Sequence, residues 1–233
     1  MKLKKVTSID AALDRIKDGD TVLVGGFGLS GIPEKLIDGV CDRDLRDLTV
    51  VANGSGTQRL GIARLLERGC VGKVICSFPW GRESDVFKGL YEAGKVDLEI
   101  VPQGILAERM RAAGAGLGGI LSPSGVGTQI AEGKATHTVK GQEYLIEAAL
   151  PGDIALIKAH KADPRGNLIY RLAGQNMNPV MAMAAKHTIA EVDEEVALGE
   201  LAPEQVMTPG VFVDRYVVTG RYKPEAWDGV WHE

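Results

Sequence analysis

Long hydrophobic runs are missing from this sequence of 233 residues: none approaches the roughly 18 apolar positions that a membrane-spanning helix needs, so no membrane partner is expected. The opening stretch MKLKKVTSIDAALDRIKDGD carries early lysines with no apolar core behind them. Asp10, Asp14, Arg15, Lys17 and Asp18 break every window, and the stretch does not read as a signal peptide. Cysteine is scarce. Cys41, Cys70 and Cys76 have no C-x-x-C spacing and no histidine pair to complete a ligand set, so neither a disulfide framework nor a metal centre is expected, and the chain reads as reduced and cytoplasmic. Two readings of Cys76 stand: a catalytic thiol at a strand end, or buried apolar filler, the commoner role. Charge of one sign is lacking too. Lysine and arginine (27) are scattered among 31 aspartates and glutamates, without the basic stripe that nucleic acid would require. What is present, 45% hydrophobic residues and 25% charged, suits a chain with a substantial core.

Ile9, Ala12, Leu13 and Ile16 recur at three and four, which predicts a helix over 8–17 with Thr7 or Ser8 as cap. Apolar runs then predict strands at 21–24, 48–52, 73–78 and 98–102. Helices fall between and after them: one with Pro33 in its first turn, one near 59–68, one near 83–93 and one over 105–114. Strands separated by helices imply a parallel sheet covered on both faces. GAGLGGILSPSGVGT, at 114–128, holds six glycines in fifteen residues and reads as a loop, either a hinge or the wall of a site. After it, THTVKGQEYLIEAA reads as a hairpin turning at Lys140-Gly141. DIALIKAH, NLIYR, HTIAEV and VFVDRYVV supply further strands. The expectation is one α/β domain over 1–233, a parallel sheet flanked by helices with an additional β-rich C-terminal part.

Within DTVLVGGFGLSGIPEKL, at 20–36, Gly26, Gly28 and Gly31 spell G-x-G-x-x-G between a strand and a helix, the pattern of a dinucleotide turn. Such a turn needs helix N-terminal amides facing a pyrophosphate and an acidic residue about 20 positions on for the ribose. Pro33 removes a donor where one is wanted, and Asn53 stands at the end of the second strand in place of the acid. A nicotinamide-dependent oxidoreductase stays open only as an alternative, alongside a phosphosugar-binding α/β protein. The glycines, with Phe27 among them, still sit at the C-terminal end of a parallel strand, where open α/β sheets place ligands.

The longer run DGDTVLVGGFGLSGIP (18–33) resembles, position for position, the signature of family I coenzyme A transferases. VPQGILAERMRAAGAG (101–116), SPSGVGT (122–128), IKAHKADPRGNLIYR (157–171) and TPGVFVDRYV (208–217) are similar to further blocks of that family. The likeness is to the A (alpha) subunits of two-subunit 3-oxoacid enzymes. It implies transfer of CoA from an acyl-CoA, with succinyl-CoA as the expected donor, to a 3-oxo acid through a glutamyl-CoA intermediate. The coenzyme A thioester would be a substrate, and no tightly bound cofactor is expected. The family's nucleophilic glutamate lies in a Glu-Asn-Gly motif of the B (beta) subunit; no Glu of this sequence is followed by Asn-Gly. The resemblance therefore implies activity only with a B subunit, in an expected α2β2 assembly.

For this chain the resemblance implies that Gln103 stabilises the oxyanion, while Gly25, Gly26, Phe27, Gly28, Leu29, Ser30 and Gly31 wall the CoA site beside Asn53 and Gly54. Bland alternatives stand next to each: Gln103 ordering its own loop, and Asn53-Gly54 serving as a standard turn pair. His137, His160, His187 and His232 lie in separate segments and read as structural. Glu191, Asp193, Glu194 and Glu195 read as a solvated acidic loop, and Met177, Met181 and Met183 as packing. LAGQNMNP (172–179) departs from the family's Ser-Ala-Arg-Asn-Phe-Asn-Pro: Gly174, Gln175 and Met177 are exchanged, while Asn176, Asn178 and Pro179 remain. Losing an arginine there removes a bidentate partner for a carboxylate, which leaves the acceptor acid open.

Overall fold

In the computed structural model of the chain, the described residues are 3–56, 59–80 and 84–221. Helix α1 (Ile9–Ala12) starts at Ser8, whose hydroxyl accepts from the Ala11 amide at 3.1 Å. It is shorter than the expected 8–17. The Asp20 carboxylate accepts from the Lys17 amide at 3.0 Å, and Gly19 at φ +76° turns the chain into strand β1 (Thr21–Val24). Then α2 (Glu34–Cys41), β2 (Leu48–Gly54), α3 (Ile62–Glu67), β3 (Val71–Phe78), α4 (Asp85–Glu92), β4 (Asp97–Ile100) and α5 (Gln103–Gly114) follow in strict alternation. Pro33 stands at the N-cap of α2, just outside the first turn, and the expected start of the fourth helix at residue 83 lies outside the described residues.

The second half is richer in strands: β5 (Gly119–Ser122), β6 (Thr136–Val139), β7 (Gln142–Ala148), β8 (Gly152–Ala162), β9 (Leu168–Ile169), then α6 (Asn178–Ala184), β10 (Ala185–Glu195) and β11 (Arg215–Val218). An eight-stranded sheet takes the order β11-β10-β8-β1-β2-β3-β4, every pair parallel except β9, which runs antiparallel to β8. Period-two side-chain alternation splits the inner strands between two cores. Val22 and Val24 face Leu36, Leu65 and Phe87 of α2, α3 and α4, whereas Leu23 between them faces Leu106, Met110 and Met181 of α5 and α6. Each of these side chains is at most 2% exposed, and burial of this kind stabilises by about 1.5–3 kcal/mol per large apolar residue.

The stretch 114–128, expected as a loop, contains a strand. β5 lies at the edge of a separate three-stranded antiparallel sheet ordered β5-β7-β6. An edge position has no neighbour on one side, so the poor strand propensity of glycine matters less there. The expected hairpin is present, with Lys140 at φ +51° and Gly141 at φ +82°, the signs of a type I′ turn. In the main sheet, β1 to β4 build outward in one direction, and β8, β10 and β11 in the other. The reversal falls at β1 and β8, where such sheets open a crevice beyond their strand ends.

Candidate functional site

A cleft of about 450 Å³ opens where β1, β2 and β3 end and α5 begins. Gly25, Gly26, Phe27 and Gly28 from the end of β1, Asn53 and Gly54 from β2, and Gln103 from the first position of α5 line it together. Leu29, Ser30 and Gly31 do not line it. Phe27 and Ser30 exchange backbone hydrogen bonds of 3.0 Å each way, which folds 27–30 into a tight turn and leaves Phe27 half exposed at the mouth. Ile32, Leu60, Ile62 and Phe78 add apolar lining that sequence reasoning missed. Their contribution depends on how the ends of separate strands and the loops after them converge, which periodicity does not encode.

Gln103 and Asn53 are in contact. The Gln103 Nε2 amide donates to Asn53 Oδ1 at 2.6 Å. Asn53 is buried and Gln103 exposed, so the buried residue fixes the amide of the exposed one and leaves a second N–H on Gln103 Nε2 without this partner. Chemically, the pair is a neutral, oriented donor at the edge of a mainly apolar cleft. Ser77 also lines the cleft, and its hydroxyl is buried without a hydrogen-bond partner among the described residues.

Gly25 and Gly31 owe their identity to packing from the 174–178 segment, and Gly26 to Ile32 beside it. A Cβ on Gly25 would lie 1.8 Å from Asn178 Oδ1, one on Gly26 2.6 Å from Ile32, and one on Gly31 2.4 Å from the Gly174 carbonyl. Asn176 Oδ1 accepts from the Gly26 amide (3.2 Å), while its Nδ2 donates to Ser30 O (3.1 Å) and Ala173 O (2.8 Å). Asn178 donates to Gly31 O (3.0 Å) and Gly174 O (2.8 Å) and accepts from the Lys158 amide (3.0 Å). Two of the three unusual residues at 172–179 therefore bear on the turn or the core: Gly174 supplies a carbonyl and Met177 is buried in packing.

The helix after the glycines offers nothing to a pyrophosphate. Glu191 Oε2 accepts from the amides of Lys35 (2.7 Å) and Leu36 (3.1 Å), occupying the N-terminus of α2 with a carboxylate that satisfies its free N–H groups and dipole. This overturns the solvated-loop reading of 191–195. Those residues close β10, and Glu191 is fully buried, its Oε1 accepting from Lys158 Nζ (3.1 Å) and Thr219 Oγ1 (3.2 Å). The available signal was the apolar run around Glu191, with Ile189, Ala190 and Val192 beside it, since an acid set among buried residues requires a partner.

The other singled-out residues lie elsewhere. Burial pushes the Cys76 thiol up to about 11, and the side chain packs into the core on the α2–α4 side of the sheet, an inert setting for sulfur. His160 Nδ1 lies 3.2 Å from Asp193, His187 lies 2.9 Å from Arg15, and His137 is on β6; His232 lies outside the described residues. Met177 and Met181 pack in the core beside α5. Among the described residues no cluster of three potential metal ligands occurs, and no helix is long and apolar enough to cross a membrane.

A family model described as coenzyme A transferase matches residues 6–219. The chain is 54% identical over 214 residues to the A subunit of 3-oxoadipate CoA-transferase from Pseudomonas putida, covering 92% of this chain and 93% of that protein. It is 46% identical over 210 residues to the A subunit of succinyl-CoA:3-ketoacid coenzyme A transferase from Helicobacter pylori strain J99, covering 90% of each. Among solved structures it is similar to the acyl-CoA transferase YdiF of Escherichia coli O157:H7 in a thioester complex with CoA, with a TM-score of 0.81 and 26% identity. That match covers 94% of this chain and 47% of the other, so the chain spans about half the length of that structure.

Proposed function

Since this chain belongs to the coenzyme A transferase family, we propose that it is the A subunit of a 3-oxoacid CoA-transferase, moving CoA from succinyl-CoA to a 3-oxo acid together with a B subunit. The observation that carries this reading is the near full-length likeness to the A subunits of two such enzymes. The nicotinamide and phosphosugar alternatives have no support from these relatives, and the buried Glu191 at the head of α2 stands against the first.

In the proposed reaction a glutamate of the partner, in a Glu-Asn-Gly motif, attacks the thioester carbonyl. The acyl-glutamyl anhydride forms as CoA thiolate leaves; the thiolate then attacks the glutamyl carbonyl and releases the donor acid. The acceptor carboxylate takes the CoA through a second anhydride, the ping-pong course of a carboxylate nucleophile. This chain's part is electrostatic and steric. Gln103, oriented by Asn53, donates to the oxygen on which negative charge develops, a contribution of about 3 kcal/mol by comparison with other oxyanion donors. Gly25, Gly26, Phe27 and Gly28 with Asn53 and Gly54 form the wall, Leu29 to Gly31 close the turn that carries it, and Phe27 offers apolar surface to the pantetheine or acyl chain. CoA enters as a substrate, with no tightly held cofactor. Residues 1–233 act as one α/β domain in a cytoplasmic α2β2 assembly.

The test is to co-express the chain with its B partner, then to assay CoA exchange between succinyl-CoA and a panel of 3-oxo acids. Exchange is expected from the pair and not from this chain alone. Full activity of the chain alone would sink the two-chain reading.

A further inference from the structure

The wall of the cleft is held from behind by one fully buried side chain that does not itself line the cleft. Asn178, at the start of α6, is 0% exposed and uses both ends of its amide: Oδ1 on the Lys158 N–H of β8, Nδ2 on the carbonyls of Gly31 and Gly174. Its Oδ1 also occupies the space where a Cβ of residue 25 would stand, 1.8 Å away. Gly25 lines the cleft and Gly31 closes the turn that follows, so a single amide touches both ends of the turn. Lys158 continues the framework, because its side chain pairs with Glu191, which caps the helix that follows the turn.

We propose that Asn178 is a positioning residue for the acyl-CoA site, setting the Gly25–Gly31 turn by filling the volume that Gly25 leaves vacant and by holding the Gly31 carbonyl. The ligand rests on the transferase reading above; the packing relation does not. A buried amide that meets four partners, Asn176 Oδ1 at 3.3 Å being the fourth, is costly to disturb, since each group left unpaired loses about 1–3 kcal/mol. The arrangement also makes Gly25 conditional. Its backbone does not require glycine, as its φ is not positive, and the Asn178 side chain alone forbids a larger residue.

A double-mutant cycle in the complex with the B subunit tests this. Gly25→Ala is expected to raise KM for the acyl-CoA about tenfold with kcat changing far less, and to cost under about threefold once Asn178→Ala has removed the clashing atoms. Asn178→Ser, which retains an acceptor for Lys158 and one donor, is expected to recover part of the KM lost in Asn178→Ala. An equal effect of Gly25→Ala in both backgrounds overturns the proposal. So does a loss confined to kcat with KM unmoved, or no recovery by serine. If Gly25→Ala fails to accumulate as folded complex, its rescue by Asn178→Ala supports the proposal and lack of rescue overturns it. If the wild-type complex transfers no CoA, the transferase reading fails. The same cycle, followed by thermal melting, then decides whether Asn178 sets the turn.

Discussion

Two glycine-rich stretches, 25–31 and 114–127, look alike in the sequence and differ in what surrounds them. In the first, Gly25, Gly26 and Gly31 are each pressed to within 2.6 Å of what a Cβ would meet, and the partners of Gly25 and Gly31 lie in the distant 174–178 segment. In the second, Gly116, Gly118 and Gly127 have open space around them, while Gly119 is crowded by the Glu147 carbonyl of the neighbouring strand, Gly114 by Met183 and Gly125 by Ile130. The first stretch lines a cleft and the second lines none of it. Both stretches hold glycines crowded by remote segments, so what separates them is where the crowded backbone sits, at the cleft or away from it, and not glycine count.

Substitutions can break that comparison. The largest effect is expected for Gly31→Ala, where φ +68° and a carbonyl at 2.4 Å together should cost about 2–4 kcal/mol in thermal melting, with activity falling alongside. Next comes Gln103→Ala, expected to lower kcat about a hundredfold while stability in thermal melting falls only by the roughly 1 kcal/mol of the lost hydrogen bond to Asn53. Unchanged turnover would remove Gln103 from the oxyanion role. Gly116→Ala, at φ +72° in open space, should cost about 1 kcal/mol with KM and kcat unmoved. A Gly116→Ala variant as damaged in KM as Gly31→Ala would erase the distinction between the two stretches.

The smallest effect concerns the anchor of the second stretch. Arg109 donates to the Ala148 carbonyl of β7 at 2.8 Å and to Glu99 at 2.9 Å, tying α5 and β4 to the small sheet. Burial would raise the Glu99 carboxyl, but hydrogen bonds from Arg109 and Lys73 outweigh it and hold the group below its ordinary 4.5. A depressed carboxylate stabilises the fold above its unfolded-state value. That contribution is lost as pH falls below 4.5 and through the lower folded value. Glu99→Gln should flatten this part of the acid melting curve by less than about 1 kcal/mol, because the side chain is about a third exposed.

The alternation of strands and helices was legible because period-two and helical apolar patterns survive in a parallel sheet, as Val22, Leu23 and Val24 show by dividing between two cores. The hairpin at Lys140-Gly141 was legible because turn chemistry is local. β5 was hidden: its pairing with β7 is a long-range contact, and glycine there argued against any strand. In the site, the end of β1 and Gln103 were readable through family likeness, and the structure brings them to one cleft. Asn178 and Glu191 escaped because their roles depend on register between distant elements. A buried amide and a buried acid look in sequence like any other polar residue.

The hydrogen bonds behind the wall also impose an order in time. Gly26 to Asn176 spans 150 residues and Asn178 to Gly31 spans 147, while β1 gains its second neighbour only when β8, starting at Gly152, has been made. On a growing chain, β1 to β4 can pair early, but one edge of the central strand stays open and the glycine turn lacks its anchor until α6 emerges. Closing contacts of such sequence separation is slow. The glycine turn at the cleft thus gains its anchors only after the first four strands have been made, and β10 and β11 complete the sheet later still.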